Sequence, residues 1–187
     1  MNHTHAAVAL VLTVLDTKGI MPLQCREPSL SRQHNDVVKR ALTAAGINSW
    51  LEPVGLDRTD SRSPDSTTVF PYNNGKCLTW EVACVNPYSE SSVINSAITP
   101  GSAADAAEDR KRNKYSGITD RYLFEPVAVE TTRVFGSSTQ TFLQHLGTRI
   151  TEQSGERRET SWLFERISIT VVRGNSASIL ATGCMSA

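Results

Sequence analysis

Residues 64–85 read PDSTTVFPYNNGKCLTWEVACV, two β-type runs separated by Tyr72-Asn73-Asn74-Gly75. Asn-Gly readily takes the left-handed backbone of a tight turn, so runs 66–71 and 77–85 are expected to pair in one sheet. Alternation along the second run puts Thr79, Glu81 and Ala83 on one face and Leu78, Trp80, Val82 and Cys84 on the other. Glu81 thus stands among small residues inside an apolar strand, and Asp65 opens the preceding run. A carboxylate in such a run is costly to bury unless it is paired or holds a cation. Two of them, one turn apart, can converge on a single metal ion, with a backbone carbonyl near Val82 completing the protein's share. Small neighbours leave room for the waters that magnesium keeps. Taken alone, Pro64-Asp65 is also a common turn dipeptide.

Upstream, residues 35–45 carry a helical stripe of Val37, Val38, Ala41, Leu42 and Ala45, with Asn35 or Ser31 as cap and Gly46 as stop. A first strand is expected over 49–54, followed by the polar loop 57–63, whose Arg58, Asp60 and Arg62 read as solvated. Downstream, Ser102 and Asp105 form a capping box that starts a helix running to about residue 118. At about 100° per residue, Ala103, Ala107, Lys114 and Ile118 share one arc with Lys111 at its edge. A lysine therefore falls on the small-residue, inward stripe, while Arg110, Arg112 and Asn113 point elsewhere. The alternative is that Lys114 pairs with Asp109 or Glu108 on a solvated helix. A strand over 122–130 follows, then a helix over 138–152 with Phe142, Leu143, Leu146 and Ile150 inward and His145 outside. Another helical pattern begins near Glu159, although the β-branched run 167–172 competes with it. This order implies an α/β fold, a single mixed sheet flanked by helices, with an α-β-β-β-α-β core and additional C-terminal helices.

The chain has 187 residues, enough for one domain with a real core. Nineteen basic residues balance nineteen acidic ones, so affinity for nucleic acid has to come from a local patch, and Arg110-Lys111-Arg112-Asn113-Lys114 is the basic cluster. Cysteines 25, 77, 84 and 184 form no C-x-x-C pair, which argues against zinc and for free thiols in a reducing compartment. Residues 6–12 look like the apolar part of a signal peptide but have no Lys or Arg before them and are too short to span a bilayer. Residues 1–24 are read as an extension or truncated boundary and 25–187 as the domain. The expected location is intracellular, without membrane association.

Six segments carry a resemblance: RQHNDVVKRAL (32–42), LEPVGLDRTDSRSPD (51–65), LTWEVACVNPY (78–88), AEDRKRNKY (107–115), FEPVAVETTRVFG (124–136) and RGNSASIL (173–180). From about Arg32 to Gly183 the chain resembles a domain found after the reverse transcriptase in animal non-LTR retroelements and their relics. That domain is itself similar to restriction-endonuclease-like nucleases of the PD-(D/E)xK superfamily. SPD followed by WEV, in order with RKRNKY and EPVAVET, is the specific part of the match. The resemblance implies a magnesium- or manganese-dependent endonuclease that hydrolyses DNA, nuclear if active. Asp65 and Glu81 match the two metal-binding acids. Two departures stand out. The superfamily's lysine normally lies two positions after the second acid, where this chain has Ala83; placement on the following helix would make it Lys114 or Lys111. The retroelement relatives usually have Asp where Glu81 stands. His34-Asn35 matches an element before their first helix.

The expected machinery is therefore Asp65 and Glu81 as ligands with Val82, and Lys114 assisting the reaction. Arg110, Lys111 and Arg112 would contact DNA, or RNA, and Gln144 and His145 are further candidates for backbone contact. The competing readings are a catalytically degenerate module that binds nucleic acid without cutting it, and a structural remnant. Oligomeric state is left open.

Overall fold

The computed structural model describes residues 28–51 and 64–183. The expectations for residues 1–24, Cys25, 52–54, the loop 57–63 and Cys184 lie outside the described residues.

Asn74 (φ 49°) and Gly75 (φ 72°) both adopt left-handed backbone, with Asn73 and Lys76 bridged across them. This is the two-residue turn that suits the twist of a hairpin. It pairs β2 (Ser66–Thr68) antiparallel with β3 (Cys77–Val85), Ser66 opposite Trp80 and Thr67 opposite Thr79. β2 ends earlier than the expected residue 71. The Leu78 amide donates to the Thr68 hydroxyl (3.0 Å), which donates to the Phe70 carbonyl (2.8 Å). A side chain thus replaces the ladder, and Pro71 has no amide with which to resume it.

β1 (Ser49–Leu51) pairs antiparallel with β2, Trp50 opposite Thr67. β4 (Tyr122–Glu130) runs parallel to β3, from Cys77 opposite Tyr122 to Val85 opposite Glu130. The result is one open, mixed sheet in the order β1-β2-β3-β4. Five α-helices complete the described residues: α1 (Pro28–Ala44), α2 (Val93–Ile98), α3 (Ser102–Lys114), α4 (Ser137–Ser154) and α5 (Glu159–Gly183).

Residues paired across strands share a face. On one face, Leu78, Trp80, Val82, Val127 and Val129 join Val38 and Leu42 of α1, Leu143 and Leu146 of α4, and Ile167 and Val171 of α5 in the main core. On the other, Ala83, Val85 and Ala128 meet Ala104 and Ala107 of α3. Only small side chains separate α3 from the sheet there.

Three expectations are corrected. α1 begins at Pro28, so Asn35 caps nothing: its Oδ1 accepts hydrogen bonds from Trp80 Nε1 (2.7 Å) and Ser66 Oγ (3.1 Å), which tie α1 to β2 and β3. Ser102 is not a cap either. Gly101, at φ 91°, takes that position, and the Ala103 amide is satisfied by Glu130 Oε1 at 3.2 Å. α3 stops at Lys114 and the chain continues as a 3₁₀ turn over Ser116–Ile118. The β-branched run 167–172 is helical because Leu163, Ile167 and Val171 recur every four residues and are buried; that burial outweighs a helix-propensity penalty of about a few tenths of a kcal/mol per residue. The short helix α2 was not anticipated.

Candidate active site

The position of α3 is fixed by carboxylates. Glu130, 2% exposed at the end of β4, accepts from the Ala103 amide at the start of α3. Glu108 of α3 accepts from the amides of Ser138 (3.0 Å) and Thr139 (2.9 Å) and from the Thr139 hydroxyl (2.6 Å). Asp105 accepts from the Ser137 amide at 2.7 Å. Negative charge is favoured at a helix N-terminus, where amides are otherwise unpaired. α4 carries no acidic residue in its own first turn. That lack is the sequence signal for a cap from elsewhere, and sequence reasoning missed it. These bonds hold α3 to β4 and α4, and so set where its lysines reach.

Extending the β2–β3 register by one residue sets Asp65 opposite Glu81, on the face that α3 covers. Asp65 Oδ2 accepts from the Val82 amide at 2.9 Å. That amide faces the β2 edge just past the end of the β2 ladder, and in a strand the carbonyl of a residue points the same way as its amide. Glu81, 9% exposed, accepts from both Lys111 and Lys114; the Lys114 ammonium lies 3.2 and 3.3 Å from its two oxygens. Four of the residues singled out from sequence, Asp65, Glu81, Lys111 and Lys114, therefore lie together. Lys114 does not take the alternative partners: Asp109 bonds Arg112 (3.3 Å) and Glu108 is engaged by α4. Its ammonium also sits 4.5 Å over the Tyr115 ring. Ala83 lies among Ala104, Ala107 and Ala128, and its small size lets α3 come close enough for its lysines to reach Glu81.

Burial raises the Asp65 carboxyl above the ordinary carboxylate range, and the charge of Glu81 adds to the rise. The Val82 amide and the two lysines pull the other way. Burial likewise raises Glu125, whose Oε1 accepts from Ser138 Oγ at 2.6 Å. Glu125 lies on the opposite face from Glu81 and serves the start of α4.

Of the remaining sequence candidates, Arg110 and Arg112 are exposed on α3. Gln144 and His145 are exposed on α4, which packs on the far face, so the sheet separates them from Glu81. Among the described residues no cluster of three His, Cys, Asp or Glu side chains gathers. A cation here would rest on two carboxylates and the Val82 carbonyl, with water for the rest. That donor set suits magnesium, which keeps several waters and takes one or two carboxylates. It also suits Asp65, since a cation between the two acids offsets the Glu81 repulsion that adds to the effect of burial. Among the described residues no helix is long and apolar enough to cross a membrane. Comparison with protein-family models and with curated proteins finds no match for this chain.

Proposed function

We propose that this domain is a metal-dependent nuclease of restriction-endonuclease-like, PD-(D/E)xK type and retroelement origin, which hydrolyses or nicks DNA. The observation that carries it is the juxtaposition of Asp65 and Glu81 on one sheet face, with Lys111 and Lys114 of the following helix on Glu81. The motif resemblance and the helix–three strands–helix–strand order, with the short helix α2 inserted before α3, support the same reading. Asp65 and Glu81, with the Val82 carbonyl, would hold magnesium or manganese. When bound, the cation polarises the scissile phosphate and lowers the pKa of an attacking water. Lys111 and Lys114 then turn from Glu81 to the negative charge that develops on the phosphate. Arg110 and Arg112 hold the flanking backbone.

One observation favours a second reading. Both Glu81 oxygens already face ammonium groups, so the acid needs no cation to remain buried. On that reading the domain is a degenerate module that binds DNA or RNA without cutting.

The test is incubation of the chain with supercoiled plasmid and single-stranded DNA in magnesium or manganese, beside Asp65→Ala and Glu81→Ala. Nicking that both substitutions abolish supports the nuclease. Salt-dependent binding without metal-dependent turnover supports the module. A folded chain that neither binds nor cuts refutes both.

A further inference from the structure

Past α3, the sheet face that carries Asp65 and Glu81 reaches an exposed aromatic side chain, Trp50 of the edge strand β1. Trp50 pairs with Thr67, and Thr67 with Thr79, so all three lie on one face, the face of Asp65 and Glu81. With strands about 5 Å apart and residues about 3.3 Å along them, Trp50 lies roughly 12 Å from Glu81 across the sheet. α3 covers β3 and β4, and Trp50 on the edge strand β1 is left 65% exposed. A single exposed apolar residue is ordinary on a protein surface. This one is a flat indole on the same sheet face as the acid pair, and α3 on that face carries the exposed Arg110 and also Arg112, whose exposed pair with Asp109 a phosphate can displace.

From this we infer that Trp50 stacks on an unpaired base a few nucleotides from the scissile phosphate, which makes single-stranded DNA, or the single-stranded part of a junction, the substrate of this site. Stacking of this kind requires a base whose π-face is open, as it is in a single strand and is not inside a duplex. The positive side chains of α3 supply the charge complementarity that a stacked but uncharged platform lacks. The inference rests on the nuclease reading for where the strand is cut, but its binding component can be measured separately.

The experiment measures fluorescence anisotropy of a labelled oligothymidine and of a duplex of equal length, in calcium or EDTA so that nothing is cleaved. The proteins are wild type, Trp50→Ala and Trp50→Phe, each checked for folding by circular dichroism. Trp50→Ala is expected to weaken single-strand binding roughly 5- to 150-fold, the loss of one stacked base. Trp50→Phe should keep most of the affinity, and duplex binding should change less than about twofold by the same reasoning. Wild-type tryptophan emission should be quenched by the oligothymidine, and that quenching should vanish in Trp50→Phe. Equal single-strand affinity in Trp50→Ala and wild type overturns this inference and leaves the nuclease reading standing. An equal loss on single strand and duplex overturns the strand preference. Self-association of the wild type that Trp50→Ala abolishes, with DNA binding unchanged, assigns the face to a second copy and overturns it too. A wild type that binds no nucleic acid overturns both the inference and the reading beneath it.

Discussion

Lys111 and Lys114 share one carboxylate, so removing both should cost far more than the sum of removing each. In Lys111→Met, Glu81 still faces Lys114; in Lys114→Met it still faces Lys111. The lysine side chains are 24% and 33% exposed, so each single replacement costs about 1 kcal/mol, the upper range for a partly solvated ion pair. The double replacement leaves a carboxylate only 11% exposed with neither partner, which costs about 3–5 kcal/mol. The cycle thus gives an interaction energy of about 1–3 kcal/mol, well above the additivity error of about 0.5 kcal/mol for independent sites. In melting temperature, each kcal/mol corresponds to about 2–4 °C for a domain of this size. Urea denaturation of the four proteins at low salt and neutral pH reads the cycle directly. Adding Glu81→Leu to the double variant should return most of the lost stability, since the stranded charge is then gone. Additive costs, or no recovery with Glu81→Leu, would refute the claim that these two ammoniums neutralise Glu81.

The raised carboxyl of Asp65 sets a pH dependence. Between its ordinary value of 3.8 and its higher folded value, the unfolded chain ionises first, so this residue's contribution falls as pH rises through that window. Asp65→Asn escapes the loss and should be more stable than wild type at neutral pH, with the difference closing on acidification; denaturant midpoints from acid to neutral pH check this. Gly147→Ala should destabilise by about 1–3 kcal/mol, because a Cβ there would meet the Cα of Thr160 at 2.7 Å where α4 crosses α5; thermal unfolding measures it. Thr139→Ala should cost about 1–3 kcal/mol, since the Thr139 hydroxyl accepts from the buried Ala128 amide (2.7 Å) and donates to Glu108. Hydrogen exchange should show the loss concentrated at the start of α4.

The elements legible in sequence are those set by neighbours along the chain. Asn74-Gly75 announced the hairpin, and the apolar runs 77–85 and 122–130 coincide with β3 and β4. The face of Glu81 followed from alternation; the small-residue arc put Lys114 inward with Lys111 at its edge, whereas both reach Glu81 and Lys111 is the less exposed of the two, 24% against 33%. The illegible parts depend on distant partners. Asn35 looked like a cap because its bond to Trp80 joins residues 45 apart in sequence. Ser102 looked like a cap because the true partner of the next amide is Glu130, 27 residues on. Glu108 gave no local sign of holding α4, and the β-branched run 167–172 became helical only through the core it helps to build.

The central claim is that Asp65 and Glu81 act together as one divalent-cation site. Calorimetric titration of manganese into wild type, Asp65→Asn and Glu81→Gln tests it most directly. The account predicts one ion bound per wild-type chain and none by either variant, each still folded. Binding that survives both substitutions, or a folded wild type that takes up no manganese, would contradict it.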